Sequence, residues 1–325
     1  MIYQLAKNDH ERTRPLFKGL EYNLVVPAVI QGANPGQIYA DDAHEPSSAF
    51  LCSAEGYYLG GDPSNHAFNI ALGKRIAGRI FAGDTIRPGE DQLDLRFCPD
   101  TWENQLDVIL EGKSPIMQHR RHYVCRGLKV SWRDRILEGF SVRRIDRELL
   151  QMPGISNAAS PLNRYAIDKM KGNWGSIDTF LQSGIGFCML HGEEPVCWCI
   201  ADCVSGDACE VGIRTHPDYR RRGLATCTVA AIVEHCLLHG FQFVGWHCWD
   251  ANIGSIGVAQ KVGFELERTY LSYVRMFDDA YHLAETGLVR FMAGRYIEAA
   301  RCYEQAFALR ADPFPHQYYH LAARA

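Results

Sequence analysis

Apolar and polar positions alternate most regularly between residues 140 and 277, where they predict a run of strands and helices. The predicted strands are 140–145, 185–190, 195–204, 208–215, 241–248 and 264–275. The predicted helices are 161–170, 176–182, 223–239 and 252–262. The tripeptide Ser205-Gly206-Asp207 turns the chain between the third and fourth strands, as a hairpin needs. We therefore expect an α+β domain over 140–279.

The first segment, 1–139, has a less regular pattern. The stretch 16–29 is apolar, and Asn34-Pro35-Gly36 indicates a turn. Short strands are predicted at 37–40, 49–52 and 57–59, and helices at 65–80 and 102–110. Strands followed by helices predict an α+β N-terminal domain, in which we find no chemical motif.

The last stretch, 280–325, is helical and differs in character. The residues that fall on tetratricopeptide spacing are Gly287, Gly294, Tyr296, Ala299, Tyr303 and Ala306. A partial third helix is predicted from Pro315. One such repeat cannot bury both of its faces, so we expect this short helical repeat to pack on a neighbour. A protein partner or a second copy of the chain would supply that contact.

Composition and charge restrict the partners. The 325 residues are 47% hydrophobic and 22% charged, so a large core can form. The net charge of -4 gives no reason to expect a nucleic acid or an anionic membrane as partner. No stretch is apolar for long enough to cross a bilayer, and the first residues lack the pattern of a secretory signal. We therefore expect a cytoplasmic protein.

The 12 cysteines fit the same expectation. They are scattered through well-patterned elements, as are reduced, buried thiols in a cytosolic protein. Four of them, Cys197, Cys199, Cys203 and Cys209, crowd one region and invite a metal interpretation. They lack the paired C-x-x-C spacing of zinc knuckles, so we expect small core residues and no metal.

The clearest chemistry lies in the loop between the strand 208–215 and the helix that starts at Gly223. The segment is Ile213-Arg214-Thr215-His216-Pro217-Asp218-Tyr219-Arg220-Arg221-Arg222-Gly223-Leu224-Ala225-Thr226. A helix that opens just after a strand directs free N–H groups and its positive dipole end at one point, which suits a phosphate. The glycine allows close approach, and the arginines add local positive charge. The P-loop lysine and the dinucleotide fingerprint are both missing.

This loop resembles the R-x-x-G-x-A signature of the GNAT superfamily of acetyl-CoA-dependent N-acetyltransferases. A second segment, Asn252-x-x-Ser255-x-x-Val258-Ala259-x-Lys261-Val262-Gly263-Phe264, resembles the superfamily's helix after its fifth strand. The resemblance covers about 140–277 and implies a GNAT-type mixed, splayed sheet flanked by helices. With its N-terminal segment, the chain is similar to the bacterial subgroup related to zwittermicin A resistance proteins.

The resemblance implies a role for each matching position. The backbone of 213–215 would pair with the pantetheine arm of acetyl-CoA, the amides of 221–226 would hold the pyrophosphate, and Asn252 would contact the pantetheine or order the acetyl group. The residues expected to bind the coenzyme are Ile213, Arg214, Thr215, Arg220, Arg221, Arg222, Gly223, Leu224, Ala225, Thr226, Asn252 and Ser255. The alternative for the three adjacent arginines is a solvated helix start.

Two residues are candidates for the base that takes the proton of the attacking amine. Glu210 alternates with Val211 and Ile213 on its strand, so it should face away from those core positions, and many superfamily members place a glutamate near here. The alternative is a solvent-facing strand residue. His247 is the second candidate, since a histidine there could titrate in the useful range, although a strand-end histidine with satisfied hydrogen bonds is the commoner case.

One position departs from the resemblance. Many members carry a tyrosine four residues before the glycine of Gly-Phe as general acid, and that position here is Ala259. Tyr270 and Tyr273 on the last strand are candidate substitutes, with simple packing as the alternative. Ala259 therefore leaves the general acid open but does not affect the coenzyme loop.

The sequence predicts an enzyme that moves the acetyl group of acetyl-CoA to a primary amine of an acceptor that it does not identify. The alternative is a non-catalytic acyl-CoA-binding module with a helical tail for protein interaction, which Ala259 favours. We expect the N-terminal domain to wall the acceptor site, because pockets form preferentially where domains meet. The polar run 41–45 would be an amine-attracting rim or, alternatively, a solvated loop.

Overall fold

The computed structural model of the chain describes residues 1–78, 92–156 and 160–310. Within them, twelve strands build one sheet. The strands are β1 (Tyr3–Gln4), β2 (Gly36–Ala40), β3 (Ser48–Ser53), β4 (Gly56–Gly61), β5 (Gln92–Cys98), β6 (Ile116–Cys125), β7 (Phe140–Arg144), β8 (Gly186–His191), β9 (Glu194–Ser205), β10 (Ala208–Thr215), β11 (Phe243–Trp249) and β12 (Glu265–Met276). All the strands predicted from the sequence are present, with ends that differ by up to two residues.

The described residues also form α-helices on both sides of the sheet. They are α1 (Val25–Ile30), α2 (His66–Ala77), α3 (Leu106–Ile109), α4 (Arg147–Gln151), α5 (Pro153–Ser156), α6 (Pro161–Trp174), α7 (Ile177–Ser183), α8 (Leu224–Leu238), α9 (Ile253–Val262), α10 (Asp279–Met292) and α11 (Tyr296–Leu309). A 3₁₀ segment, Asp100–Gln105, precedes α3, where one α-helix over 102–110 was predicted. The predicted helical residue Ile80 and the predicted helix from Pro315 lie outside the described residues.

The strand order in the sheet is β1-β2-β3-β4-β5-β12-β6-β11-β10-β9-β8-β7. Two neighbouring pairs, β4 with β5 and β10 with β11, are parallel, and the other neighbours are antiparallel. Each parallel pair is joined through a helix, α2 in the first case and α8 in the second. This follows from chain geometry, because parallel neighbours need a crossover connection.

The sheet has an internal repeat that the sequence did not reveal. Read from its two ends, the order places β1 to β5 as it places β7 to β11, with β6 corresponding to β12. We call β1–β6 the N-terminal half and β7–β12 the C-terminal half. Each half gives its last strand to the other: β12 pairs with β5, and β6 pairs with β11. The predicted boundary at 139/140 therefore divides segments that share one sheet.

Local sequence explains the elements that hold the site. Helix α6 begins at Pro161, and the Ser160 hydroxyl accepts a hydrogen bond from the Asn163 N–H at 3.0 Å. Gly206, with φ of +57°, makes the tight turn between β9 and β10. The apolar run of α8 packs on the sheet beside Cys209 and Val211 of β10. The residue between them, Glu210, faces the segment before α1 instead.

The C-terminal helices α10 and α11 pack against each other. Gly287 lies against the ring of Tyr303, since a Cβ at this glycine would come within 2.7 Å of the ring. Asp279 ties the start of α10 to Lys113, at 3.3 Å, and to Arg275. A helical pair at this place agrees with the predicted pattern, while its identity as a tetratricopeptide repeat stays a prediction.

Candidate active site

The parallel strands β10 and β11 stay paired only at their beginnings. The pairs are Ala208–Phe243, Cys209–Val244 and Glu210–Gly245, and just after Glu210 a β-bulge shifts the register between β10 and β9, with Asp202 of β9 as the extra residue. Beyond the bulge the strands diverge, and among the described strands β9 alone still pairs with β10. The free edge of β10 over 211–215 can therefore accept an extended ligand as an added strand.

A cleft of about 660 Å³ lies at this divergence. It is lined by Ile213, Arg214, Thr215, Tyr219, Arg220, Arg221, Gly223, Leu224, Ala225, Thr226, Asn252, Ile253, Gly254, Ser255, Gly257, Val258 and Lys261. Both segments singled out in the sequence thus border one cavity, and every predicted coenzyme residue except Arg222 lies in its wall. A cavity of this size falls in the range of ligand sites.

The start of α8 is the part of the wall suited to an anion. The N-cap residue is Gly223, with φ of +82° and no side-chain hydrogen bond to the helix. The first N–H groups of a helix have no partner within the helix, so those of Leu224, Ala225 and Thr226 are available to a ligand. No protein atom lies within 4 Å of a Cβ placed on Gly223, so the space in front of this helix end is open.

The arginines around this loop are exposed, and each has a different environment. The Arg222 guanidinium lies over the Tyr219 ring at 5.2 Å, and Arg222 is not among the residues that line the cleft. The Arg214 guanidinium lies over the Tyr165 ring at 4.6 Å. Arg220 donates through Nε to the Thr215 carbonyl at 3.3 Å. The predicted contact of the Arg222 side chain with the coenzyme therefore has less geometric support than those of its neighbours.

The second segment builds the opposite wall through helix α9. The Asn252 side chain caps the helix, accepting from the Ser255 N–H at 3.0 Å, and the Ser255 hydroxyl accepts from the Trp246 indole at 3.0 Å. Both side chains predicted to contact the coenzyme are therefore also held within the protein. Ala259 is fully buried in the core, whereas Val258 and Lys261 line the cleft.

At the base of the divergence, Glu210 and His247 form one hydrogen-bonded unit. A Glu210 carboxylate oxygen, Oε1, lies 2.9 Å from His247 Nε2 and accepts from the Leu24 N–H at 2.7 Å. The sequence treated these two residues as alternative bases, and the structure brings them together. The solvent-facing alternative for Glu210 is wrong, since the residue is 5% exposed.

Tyr270 continues this unit outward. Its hydroxyl lies 2.9 Å from His247 Nδ1 and accepts from Arg120 Nε at 3.0 Å. Because a guanidinium can only donate, the tyrosine's own proton is free to point at Nδ1. His247 then carries its proton on Nε2 and donates to Glu210. We call Tyr270, His247 and Glu210 the proton chain. Tyr273, the other tyrosine considered, instead stacks on Phe97 at 4.9 Å.

The electrostatics keep the inner end of the proton chain ionised. Burial raises the pKa of the Glu210 carboxyl, but His247 and the hydrogen bond from Leu24 lower it further, and the net pKa lies below the ordinary value. Gly245, opposite Glu210, makes room for this arrangement. A Cβ there would lie 2.9 Å from Glu210 Cγ and 3.4 Å from His122 Nε2.

The sequence reasoning missed the aromatic cover of the proton chain. His122, on β6, stacks on His247 with ring centroids 4.4 Å apart and planes 7° from parallel. The Tyr22 ring lies 5.1 Å from Tyr270, and the Arg268 guanidinium lies 4.3 Å from the Tyr22 centroid. The adjacent charges and histidines at 119–122 were a local signal for His122, whereas no local pattern marks Tyr22.

The polar run 41–45 serves its own loop. Asp41 Oδ1 accepts from the Ser47 and Ser48 N–H groups, both at 2.9 Å, and Asp42 accepts from the His44 N–H at 2.7 Å. These bonds support the solvated-loop interpretation, and the amine-attracting rim stays a prediction.

The cysteines at 197, 199, 203 and 209 are buried free thiols on β9 and β10, as the core-residue interpretation requires.

Comparison with known proteins gives one consistent result. A family model described as GNAT acetyltransferase matches residues 14–273. An uncharacterized N-acetyltransferase of Bacillus subtilis, YdfB, is 27% identical over 277 residues, which cover 84% of this chain and 98% of the relative. The family match begins at residue 14, so it includes most of the N-terminal half.

Solved structures share the fold. A GCN5-related N-acetyltransferase-like protein from Streptococcus suis has a TM-score of 0.60 and 21% identity, covering 82% of this chain and 98% of its own. A GCN5-related N-acetyltransferase from Sphaerobacter thermophilus has a TM-score of 0.50 and 10% identity, covering 85% and 96%. Among the described helices, we find none that is both long and apolar enough to span a bilayer.

Proposed function

The chain belongs to the GNAT acetyltransferase family, and from that premise we propose that it acetylates a primary amine with acetyl-CoA, using Glu210 as the base through His247 and Tyr270. Membership carries the acetyltransferase activity and the acetyl-CoA co-substrate. The identity of the acceptor as an amine and the roles of individual residues are the proposal.

The coenzyme would lie in the cleft between the two signature segments. We place the pyrophosphate at the bare start of α8, on the N–H groups of Leu224, Ala225 and Thr226, with Arg221 beside it. The pantetheine arm would follow the free edge of β10 over 213–215. This puts the thioester toward the bulge, and so toward the proton chain. Asn252 would hold α9 in place as the opposite wall.

The proton chain would then handle the single proton that the reaction transfers. The acceptor amine attacks the thioester carbon, the C–N bond forms and the C–S bond breaks. The amine gives a proton to the Tyr270 oxygen, Tyr270 passes its own to His247 Nδ1, and His247 passes its Nε2 proton to Glu210. The coenzyme thiolate takes up one proton as it leaves. The proton chain can supply that proton by running in the reverse direction, from Glu210 to Tyr270.

One observation supports this assignment above the others. Glu210 is the last residue of β10 that pairs with β11, so the inner end of the proton chain lies where the coenzyme cleft begins. The carboxyl is buried and hydrogen-bonded at that point, to His247 and to the Leu24 N–H. Buried ionisable groups hydrogen-bonded to one another at the base of a cleft are typical of functional sites.

A second candidate function is a non-catalytic acyl-CoA-binding module. Ala259 favours it, because this buried position has no hydroxyl to protonate the leaving thiolate. Tyr270 argues for the enzyme, since it supplies a hydroxyl from β12 in the same region of the sheet.

The remaining parts of the chain would serve the acceptor and partners. We propose that the N-terminal half walls the acceptor site, because it supplies Tyr22, Leu24, Arg120 and His122 around the proton chain. The helices α10 and α11 would act as one tetratricopeptide-like repeat that contacts a protein partner or a second copy. We also propose membership of the subgroup related to zwittermicin A resistance and a cytoplasmic location.

The test is acetyl-CoA turnover by the full chain against a panel of primary amines. Coenzyme release is followed by chromatography, because the half-buried Cys98 thiol would react with thiol reagents. We expect Glu210→Gln, which keeps the shape and removes the basic site, to lower kcat about a hundredfold and to leave acetyl-CoA affinity unchanged by calorimetry.

The matched control is Glu194→Gln, at an exposed position where β9 begins, and it should behave as the natural chain. Normal turnover by Glu210→Gln would exclude the proposed base. Tight acetyl-CoA binding with no turnover on any amine would favour the binding module.

A further inference from the structure

We propose that His122, His247 and Glu210 form a binding site for a divalent transition-metal ion of the zinc type, and that the bound ion interrupts the proton chain. The ion site rests on the three side chains alone. Only the interruption rests on the proposed function.

The first observation is the placement of the three side chains. They lie on the adjacent strands β6, β11 and β10, and His122 is directly opposite His247 in the sheet. One ligand atom from each lies within 4.8 Å of the other two, and all three side chains are buried or nearly so. Two imidazoles with one carboxylate form a ligand set that suits zinc, whereas magnesium and calcium prefer oxygen ligands alone.

The second observation is the state of His122. It is 2% exposed, yet within the described part of the chain neither ring nitrogen makes a hydrogen bond. The nearest carboxylate oxygen, Glu267 Oε2, lies 3.5 Å from Nδ1. A buried polar group without a partner costs free energy, so its retention needs an explanation.

The geometry needs one adjustment. Zinc bonds of about 2.0–2.1 Å place tetrahedral donor atoms about 3.3 Å apart. His247 Nε2 and Glu210 Oε1, at 2.9 Å, are already close to that separation. His122 now stacks on His247 with its ring parallel, so it must rotate to direct a ring nitrogen at the same point. The centroid of the Tyr22 ring lies 6.0 Å from that of His122, so Tyr22 is one neighbour of the rotating ring.

Ion binding and proton transfer exclude each other at this site. The ion takes the lone pairs of His247 Nε2 and of Glu210, so His247 keeps its remaining proton on Nδ1, beside the Tyr270 oxygen. Tyr270 then has no acceptor on His247, and Glu210 has no lone pair directed at the chain. The occupied state is therefore inactive in acetyl transfer.

The test is a titration of the metal-free full chain with Co²⁺, read by the visible ligand-field absorption that four- or five-coordinate Co²⁺ shows. His122→Phe keeps a ring against His247 but has no donor atom, and Glu210→Gln removes the carboxylate. The control is His239→Phe, because the exposed ring of His239, just after α8, lies 3.9 Å from that of His235 at the end of α8, and this pair is a competing site for the ion. We expect the natural chain and His239→Phe to give the bands, and the other two variants to bind at least about tenfold more weakly.

Absent bands, or bands that persist in both His122→Phe and Glu210→Gln but disappear in His239→Phe, would overturn the ion site. In the turnover assay, Zn²⁺ should inhibit reversibly on addition of EDTA, and full activity with the site occupied would refute the interruption. The cobalt bands need no acceptor, so a failure of the proposed acetylation leaves them as an independent result.

Discussion

The two halves of the sheet share an order of strands, but they differ where strand, loop and helix meet. In the N-terminal half, β4 and β5 stay paired from Tyr57–Leu95 to Gly60–Cys98, and the Asn65 side chain caps α2 by accepting from the Phe68 N–H at 3.1 Å. In the C-terminal half, the corresponding strands separate after Glu210, and α8 starts bare at Gly223. In the N-terminal half the strand edge and the helix start at this junction are therefore covered by the protein itself, and we call the junction closed. In the C-terminal half both are uncovered, and we call the junction open.

The difference teaches that strand order alone does not make a coenzyme site. An anion needs helix N–H groups that no side chain occupies, and an extended ligand needs a strand edge that no neighbour covers. The loop before α2 holds Asp62, which accepts from the Ser64 N–H at 2.8 Å, whereas the loop before α8 holds arginines. We therefore propose that local differences at this junction leave the C-terminal half suited to bind the coenzyme and give the N-terminal half a structural role.

The largest expected effect comes from filling the open junction. Gly223→Glu puts a carboxylate in front of α8, where it clashes with a pyrophosphate and repels it. We expect acetyl-CoA binding to weaken by at least about a thousandfold, or ~4 kcal/mol, in calorimetry.

The control is Gly240→Glu, beyond the other end of the same helix. Gly240 has φ of +89° against +82° at Gly223, and at both positions a Cβ would meet open space. The backbone strain is therefore matched, and only the anion site differs. Equal losses in both variants would show that strain, not the coenzyme seat, caused the effect.

A smaller effect is expected at the contact between the halves. Lys169 Nζ, from the C-terminal half, lies 3.1 Å from Glu55 of the N-terminal half and 2.8 Å from Asp202. Burial, and then the nearby Glu55, raise the pKa of Asp202 to about 8. The folded chain thus binds a proton here that the unfolded chain releases near pH 4.

The sign of the pH dependence of stability follows from this raised pKa. This contribution to stability is fully present below the unfolded pKa and is lost as the pH rises toward about 8. Asp202→Asn, which cannot titrate, should therefore gain stability relative to the natural chain over that range, by up to about 1.4 kcal/mol per pH unit. Denaturant unfolding at several pH values measures it, and parallel curves for the two proteins would rule out the raised pKa.

The smallest effect is expected from opening the closed junction. Asn65→Ala removes the cap of α2 and should lower the free energy of unfolding by about 1 kcal/mol. Acetyl-CoA affinity should not change, because uncapping α2 does not separate β4 from β5. Asn104→Ala, at an exposed position, is the comparison for stability. A second coenzyme equivalent bound by Asn65→Ala would contradict the view that the closed half lacks a usable edge.

Much of the C-terminal half could be predicted from the sequence, because its signals are local. Turn glycines, apolar periodicity and the arginine loop predicted the strands from β7 to β12, the helices α6 to α9 and most residues that line the cleft, but not the short helices α4 and α5. Strand β5 was missed although Leu93, Leu95 and Phe97 alternate with Asp94 and Arg96 as a strand requires.

The rest could not be predicted, because it depends on pairing between distant segments. Strand β6 carries His119, Arg120, Arg121 and His122 in a row, which hides its alternation. Nothing local indicates that it lies between β11 and β12. Alternation predicted which face Glu210 takes, but the N–H of Leu24 that covers it comes from the far end of the chain.

The exchange of last strands between the two halves also determines the order in which strands can pair during synthesis. Strand β5 pairs on one side with β12, as Leu95 does with Tyr273. This edge of β5 therefore stays unpaired during synthesis until the C-terminal half has left the ribosome. Until then, the edge of β5 in the nascent N-terminal half exposes unpaired backbone N–H and C=O groups. Such an edge favours aggregation of incomplete chains. Long-range pairing of this kind is slow, because the entropy of closing the long loop is lost before the stabilising contacts form. Prematurely terminated chains are therefore expected to depend on chaperones rather than to persist as partial enzymes.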